Sequence, residues 1–351
     1  SKRLIFGIIC TFIFIVFFVL RSDIRNIGQA LVEVNYFFLI PALSCYLIAL
    51  VWRAIRGKVA LRPLGEFQFS VLWKGVIIGY AANNLLPIGL GDLVRSYYLG
   101  NYSESSKTSI FATIILERVF DGLGLLFLIG FVSIFLPSAD LFKSIGQETR
   151  INPLVLTAVF AIPFLASISV LGTAVAFPEG TNRIFRIIVK GFPRRLESKL
   201  IQSLKIFLQG FSSLRQPQKI TSIFILTLLI WVSESGVFLF LAYGFQLELI
   251  FRGWVLFSGI LVLTTALANL GTSIPSAGGG IGPFEFFAQS CLMFFGMDVS
   301  LASAYILVVH ALLLFPVTIL GMIYIWMERS IFGELPWMKN LLGNSKKYIC
   351  H

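Results

Sequence analysis

The chain carries few charged side chains, since only 13% of its 351 residues are Asp, Glu, Lys or Arg, whereas a soluble domain has about 25%. It also has only two histidines and four cysteines. One histidine is the last residue, so no His-rich metal site or Ser/His/Asp triad is readable, and His310 is expected to be a satisfied core residue. Three cysteines, Cys10, Cys45 and Cys291, lie in apolar runs, which argues against a disulfide framework.

Hydrophobic residues make up 57% of the chain, and the mean hydropathy is +0.88. This composition predicts an integral membrane protein of the all-α polytopic class. A spanning helix needs about 20 apolar residues. Six apolar runs reach or approach that length and are the predicted spans: 4 to 20, 35 to 52, 108 to 136, 151 to 177, 219 to 245 and 298 to 327.

Two further apolar regions, 70 to 98 and 253 to 296, are each interrupted near the middle by proline and glycine. The first interruption runs from Asn83 to Asp92 and the second from Ser273 to Glu285. Lipid offers no partners to the backbone groups that such breaks leave unpaired, so protein or a water-filled cavity must surround them. Paired interruptions in two halves of a chain also mark transporter sites. We therefore predict two re-entrant helical hairpins that flank a transport site.

Basic residues near span ends predict the orientation of the chain. The densest basic stretch is 179 to 219, and Lys339, Lys346 and Lys347 form another cluster. A third cluster follows the second span and consists of Arg53, Arg56, Lys58 and Arg62. All three clusters face the cytoplasm if both termini lie inside and the hairpins enter from opposite faces, which is an inverted-repeat plan.

We accordingly predict that residues 1 to 351 form a single transmembrane domain in the cell membrane, with repeat halves at about 30 to 177 and 219 to 327. The joining segment, 179 to 219, has leucine and phenylalanine at helical spacing among basic residues. It is expected to form an amphipathic helix, either in the membrane interface or packed on the protein. The net charge of +11 follows from these clusters, so anionic lipid, not nucleic acid, is the expected partner.

Charged residues within apolar spans are costly and therefore mark candidate functional positions. Glu117, Arg118 and Asp121 lie together in the 108 to 136 span, where Arg118 could bind an anion while the carboxylates hold it or exchange protons. A structural ion-pair cluster is the alternative. Asp92 and Arg95 follow the first break, and the start of a helix there, with Arg95, would suit a phosphate. A salt bridge at the membrane edge is the alternative for this pair.

The second break offers Gly279 and Gly280, which permit close approach of a ligand or of another helix, followed by the intramembrane Glu285. Glu234 is isolated within its span and is expected to face the central cavity. Asparagines precede both breaks and are expected to cap freed backbone groups, with head-group contact as the alternative: these are Asn83, Asn84 and Asn269.

These motifs in this order resemble the lysylphosphatidylglycerol synthase transmembrane-region family, a UPF0104-type family. The resemblance rests on the stretch from Asn84 to Arg95, on Glu117 to Asp121, and on Pro275 with the glycine run and Glu285, and it covers about residues 30 to 330. The family includes the flippase portion of the multiple peptide resistance factor, so the resemblance implies the translocase part of such proteins alone. Relatives often carry an arginine where this chain has Gly89 and a glutamate at Asp92.

The predicted function is therefore a lipid translocase for an anionic or lipid-linked polar head group, such as a phospholipid or a polyprenyl-phosphate species. Arg95 and Arg118 would contact phosphate. No enzyme activity, catalytic residue, metal or cofactor is predicted, and a homo-oligomer is left open. Two alternatives stand beside this: a membrane-embedded head-group transferase with Glu117 or Asp121 as general base, and a non-transporting partner of a lipid-modifying enzyme.

Overall fold

The computed structural model describes residues 24–86, 90–136, 138–177, 216–274 and 278–332, together with isolated positions between these segments. Regular structure in these residues is entirely helical. The principal helices are α1 (Ile24–Glu33), α2 (Leu39–Leu61), α3 (Phe69–Leu85), α4 (Gly91–Gly100), α5 (Lys107–Val132), α6 (Ser138–Thr149), α7 (Pro153–Ala176), α8 (Pro217–Gly244), α9 (Trp254–Gly271), α10 (Pro283–Phe294) and α11 (Val299–Met327).

Five stretches of the described residues are long and apolar enough to cross a membrane: Tyr36–Leu64, Pro153–Val170, Gln218–Gly244, Trp254–Gly271 and Val299–Met327. Four of them correspond to predicted spans, so the described chain is a multi-pass all-α membrane protein. The predicted span at 4 to 20, most of the segment at 179 to 219 and the basic C-terminal cluster lie outside the described residues.

The count of spans differs from the sequence prediction at two places. Helix α5 is continuous over most of the predicted 108 to 136 span, but its charged middle keeps composition alone from marking it as a crossing. Helix α9, predicted as half of a hairpin, has 18 residues. At 1.5 Å per residue it approaches the thickness of the hydrocarbon core, so its length also allows a full crossing.

Small residues bring helices α2 and α8 close together. The buried face of α2 carries Ala42, Ala49 and Ala60, and a Cβ added to Gly236 of α8 would lie 2.9 Å from the sulfur of Cys45. Close backbone approach of this kind stabilises helix pairs in lipid, where apolar burial alone gives no driving force. The α2–α8 pair forms one wall of the core, and α3 packed along α11 forms another.

The two breaks meet inside the bundle. The first separates α3 from α4, and the second separates α9 from α10. A Cβ on Gly278 would lie 2.3 Å from the carbonyl oxygen of Asn84, so the second break rests directly on the end of α3. Gly279 and Gly280 have φ of 76° and 74°, values that glycine adopts without steric penalty. Distant parts of the sequence are thereby joined at one place.

Candidate functional site

A cavity of about 470 Å³ lies where the two breaks meet. Helices α2, α3, α5, α8, α9 and α11 all contribute to its wall. Seven of the ten predicted site residues line it: Asn84, Asp92, Arg118, Asp121, Glu234, Gly279 and Gly280. The other three predicted residues, Arg95, Glu117 and Glu285, lie behind the wall in contacts described below. Ionisable residues inside a membrane bundle are costly, so their convergence on one cavity makes it the candidate functional site.

Arg118 joins the middle of α5 to the first turn of α4. Its Nη2 and Nε donate to the two carboxylate oxygens of Asp92 at 2.8 and 3.0 Å. Asp121, the carboxylate three residues away on its own helix, lies farther off at 3.6 Å. The Arg118 side chain is 34% exposed, so the fork that holds Asp92 remains accessible from the cavity.

Arg53 supplies a second cation to the cavity wall. Its Nη2 donates to Glu234 at 2.9 Å, and its Nε donates to the hydroxyl of Tyr80 at 2.6 Å. Its Nη1 is buried and has no hydrogen-bond partner. The sequence predicts Arg53 and Arg56 in a basic cluster at the aqueous end of the second span. That prediction is wrong for these two side chains, because both are buried within the helical bundle. The expectation that Glu234 faces the cavity is confirmed.

Tyr80 lies between the two cations. Its hydroxyl oxygen accepts from Arg53 and, at 3.1 Å, from Arg118. The guanidinium carbons also lie at similar distances from the centroid of the Tyr80 ring, 5.1 Å for Arg53 and 5.2 Å for Arg118. Both distances are within the range of a cation–π contact. Since the oxygen accepts twice, the hydroxyl proton remains available to a third group.

A second layer of ion pairs begins at Asp121 in the cavity wall and extends behind it. Arg56 donates to both oxygens of Asp121 at 2.5 and 3.1 Å and lies 3.5 Å from Glu117. Arg95 donates to both oxygens of Glu117 at 2.9 and 3.2 Å. Arg56 and Arg95 are both buried. Arg95 thus pairs with a carboxylate of α5 and not with its neighbour Asp92. Its side chain is buried, so it is not accessible to a phosphate as the sequence prediction requires.

The charges of this network balance. Four arginines, Arg53, Arg56, Arg95 and Arg118, are matched by four carboxylates: Asp92, Glu117, Asp121 and Glu234. Breaking one partner of such a buried pair leaves an uncompensated charge, which is strongly unfavourable. The network thus fixes α2, α4, α5 and α8 around the cavity while leaving Arg118 partly exposed.

The second break is held by a histidine. His310 on α11 contacts Glu285 through Nδ1 and the carbonyl oxygen of Gly279, at 3.0 Å, through Nε2. The other oxygen of Glu285 accepts from the backbone N–H of Gly282 at 2.7 Å. Phe284 stacks on the imidazole with ring centroids 4.1 Å apart. His310 is buried and both ring nitrogens have contacts, as expected, but it also lines the cavity, and its partners all belong to the second break.

Backbone capping is predicted for three asparagines, and the contacts bear it out for Asn83. Its Oδ1 accepts from the N–H of Gly91 at 2.8 Å, which satisfies a donor freed at the start of α4. Asn84 instead donates to Thr318 of α11 at 2.8 Å, and Asn269 donates to the carbonyl of Thr265 at 2.9 Å. The contacts of Asn83 and Asn84 join α3 to α4 and α11, whereas that of Asn269 lies within α9.

Comparison with known proteins places the chain among membrane proteins of one family. Residues 4–321 match the family described as the lysylphosphatidylglycerol synthase TM region. The chain belongs to this family. The matched residues include both breaks and every residue that lines the cavity. The predicted resemblance is therefore confirmed.

The relatives described here are named either as UPF0104 membrane proteins or as a glycosyltransferase. A UPF0104 membrane protein of Methanothermobacter thermautotrophicus is 26% identical over 294 residues, which is 80% of this chain and 82% of the relative. The UPF0104 membrane protein MJ1078 of Methanocaldococcus jannaschii is 24% identical over 254 residues, 72% of this chain and 96% of the relative. The glycosyltransferase AglD of Haloferax volcanii is 24% identical over 304 residues, which cover 80% of this chain but 47% of AglD.

Sequence reasoning missed Arg53, Arg56 and Tyr80 as parts of this family member's site. The two arginines lie at the end of an apolar run, where basic residues usually mark an aqueous boundary. The spacing of Arg53 could have indicated its burial. Arg53 follows Tyr46 and Ala49 at intervals of one or two helical turns, and all three share the buried face of α2. Tyr80 lies in an apolar helix with no pattern of its own.

Proposed function

We propose that this protein is a lipid translocase that passes an anionic or lipid-linked polar head group through the cavity between the two breaks while the tails stay in the surrounding lipid. The observation that carries the proposal is the 470 Å³ cavity with charged walls inside an apolar helical bundle. Intramembrane charges of this kind line substrate and ion pathways.

The topology belongs to the same proposal. Helices α3 and α4 pack on each other around the first break, and α9 and α10 do so around the second. Two helix–break–helix units whose breaks touch are what an inverted repeat of re-entrant hairpins would give. In this arrangement both termini lie in the cytoplasm, the hairpins open to opposite faces of the cell membrane, and the halves can alternate access to one site.

The chemistry of the wall favours a phosphate-bearing head group. The fork of Arg118 already holds a carboxylate in bidentate fashion, and phosphate oxygens suit the same geometry. A head group would therefore exchange with Asp92 at Arg118. Tyr80 lies beside this fork and has a hydroxyl proton to donate. Arg53 would add positive potential from behind Tyr80.

A head-group transferase remains the second candidate, because one relative is named a glycosyltransferase. The match covers 47% of that protein, so the named activity belongs to AglD as a whole. In the present chain, Asp121 is held by Arg56 and Glu117 by Arg95. A carboxylate saturated by a buried guanidinium is a weak general base, and this disfavours the roles that the transferase alternative assigned to these two residues.

The proposal is tested by reconstituting the protein in vesicles that carry fluorescent phosphatidylglycerol and adding a membrane-impermeant quencher. We expect rapid quenching of the inner-leaflet lipid with the wild type and at least about a tenfold slower rate with Arg118→Ala, which corresponds to about 1.4 kcal/mol of activation free energy. Lys143→Ala, in an exposed pair with Asp140, is the matched control and should transfer normally.

Three results would count against the proposal. Wild-type protein that transfers neither anionic nor zwitterionic lipid above the rate of empty vesicles would remove it. Normal transfer by Arg118→Ala would remove Arg118 from the mechanism. A lipid product of altered mass after incubation with a lipid extract and nucleotide sugars would favour the transferase.

A further inference from the structure

The contacts of His310 require more protons than a neutral imidazole and a carboxylate possess. The carbonyl oxygen of Gly279 can only accept, so His310 Nε2 must carry a proton. Nδ1 faces an oxygen of Glu285, and this contact also needs a proton between the two atoms. A neutral histidine beside an ionised glutamate has one proton for these two contacts. The two contacts together therefore require one proton more than a neutral histidine and an ionised glutamate supply.

We propose that His310 and Glu285 form a proton-binding site whose bound proton holds the second break against the cavity. The proton resides either on Nδ1, giving an imidazolium and a carboxylate, or on Glu285, giving a neutral imidazole and a carboxylic acid. Both forms satisfy the Gly279 carbonyl, and both leave the second oxygen of Glu285 to accept from Gly282. Both also make the buried pair neutral overall, which avoids an unpaired charge among apolar helices.

Release of this proton changes the contacts in a defined way. One proton then remains for two acceptors, and the ionised Glu285 competes for it through Nδ1. The lone pair of Nε2 would face the Gly279 carbonyl oxygen, and two acceptors at 3.0 Å repel each other. Gly279 lies at φ 76° within a run of glycines, so its peptide can turn away. Loss of the proton to water in the cavity therefore loosens the second break.

The other carboxylates around the cavity do not offer this chemistry. Asp92, Glu117, Asp121 and Glu234 each face an arginine, and an arginine keeps its proton. Glu285 faces a histidine, whose ring can carry one proton or two. The ring of Phe284 stacked on His310 also accommodates a cation.

No second charged group competes for His310 among the described contacts of that ring. Helices packed against α11 bring other titratable or charged residues: α2 brings Tyr46 and Arg53, α8 brings Glu234, α3 brings Lys74 and Tyr80, and α1 carries the exposed Arg25 and Glu33. Tyr46 donates to the carbonyl of Leu313, and Arg53 pairs with Glu234. Lys74 pairs with Glu328 beyond the end of α11.

The existence of this proton-binding site does not depend on the proposed function. Its use to couple lipid transfer to a proton gradient does rest on that function. The first test is nitrogen NMR of protein labelled with ¹⁵N-histidine in lipid nanodiscs. Because the chain has two histidines, His351→Gln leaves a single signal from His310. We expect at pH 7 either two protonated ring nitrogens or Nε2–H with Nδ1 accepting a strong hydrogen bond. A neutral ring protonated at Nδ1 would overturn the proposal.

The second test is amide hydrogen exchange at residues 278 to 282 from pH 6 to 9, with Glu285→Gln as the reference at each pH. Glutamine can donate to Nδ1 and accept from Gly282, so it imitates the protonated pair. We expect exchange in the wild type to rise relative to Glu285→Gln by up to about tenfold per pH unit once the proton is lost. Parallel profiles would overturn the proposal. Absent lipid transfer with both results as expected would count against the proposed function alone.

Discussion

The two breaks meet at one cavity but are held by different chemistry. Around the first, carboxylates pair with arginines, and an arginine does not lose its proton in a protein. Around the second, His310 and Glu285 share protons with a glycine turn. The first region is thus a fixed electrostatic frame, and the second is an adjustable one. In the proposed translocase, the first region would hold the charge of the head group while the second changes shape.

The largest expected effect comes from removing a cation of the fixed frame. Arg56→Ala should lower the free energy of unfolding by about 3–5 kcal/mol, because Asp121 and Glu117 lose a buried partner. Chemical unfolding in detergent micelles measures this. Arg118→Ala, at the partly exposed rim, is the comparison and should lose less. Equal losses for the two variants would mean that the frame does not distinguish buried from exposed pairs.

The second break contains a glycine, Gly280, whose positive φ differs from the backbone conformation of a helix. Gly280→Ala should destabilise the protein by about 1–3 kcal/mol, because φ is 74° and the new Cβ would lie 2.6 Å from Thr272. Gly172→Ala in α7 meets nothing within 4 Å and should be neutral or slightly stabilising. Thermal unfolding of the two variants side by side checks the difference, and an unchanged midpoint for Gly280→Ala would contradict it.

Freeing Arg118 should sharpen the anion preference of the first region. Asp92→Asn replaces a charged partner of the Arg118 fork with a neutral one, so retention of phosphatidylglycerol should rise by about tenfold, or about 1.4 kcal/mol. Native mass spectrometry of protein purified from vesicles of equal phosphatidylglycerol and phosphatidylcholine content measures the ratio. Retention of both lipids to the same extent would show that Asp92 does not compete with head groups.

The smallest expected effect lies outside the spans. Glu328 accepts from Lys74 at 2.7 Å and from Tyr102 at 3.0 Å. Burial acts to raise the pKa of Glu328, but these hydrogen bonds outweigh it and the pKa lies below its usual value. A lowered pKa in the folded state means that the contact stabilises above the unfolded-state pKa, about 4.3, and is lost as pH falls below that value.

Glu328→Gln should therefore remove less than about 1 kcal/mol at pH 7 and flatten the decline of the unfolding midpoint between pH 5 and about 3. Glu33→Gln, at an exposed carboxylate of α1, serves as the control. A decline of unchanged steepness in Glu328→Gln would assign that pH dependence to other carboxylates.

The membrane class, four of the spans and the positions of both breaks could be predicted from the sequence, because apolar length and proline or glycine within an apolar run are local signals. Seven of the ten candidate residues also reach the cavity wall. Pairing could not be predicted. Asp92 and Arg95 share a face at helical spacing, yet each bonds to a different residue of α5, since partner choice depends on how distant helices pack.

The balance of charge in the first region has an electrical consequence. Four arginines against four carboxylates give this set of described side chains no net charge when all of them are ionised. A singly anionic head group that crosses alone would then carry one elementary charge through the membrane potential, worth about 2.3 kcal/mol per 100 mV. A head group that crosses together with the proton of His310 and Glu285 would carry none, and its transfer would be indifferent to voltage.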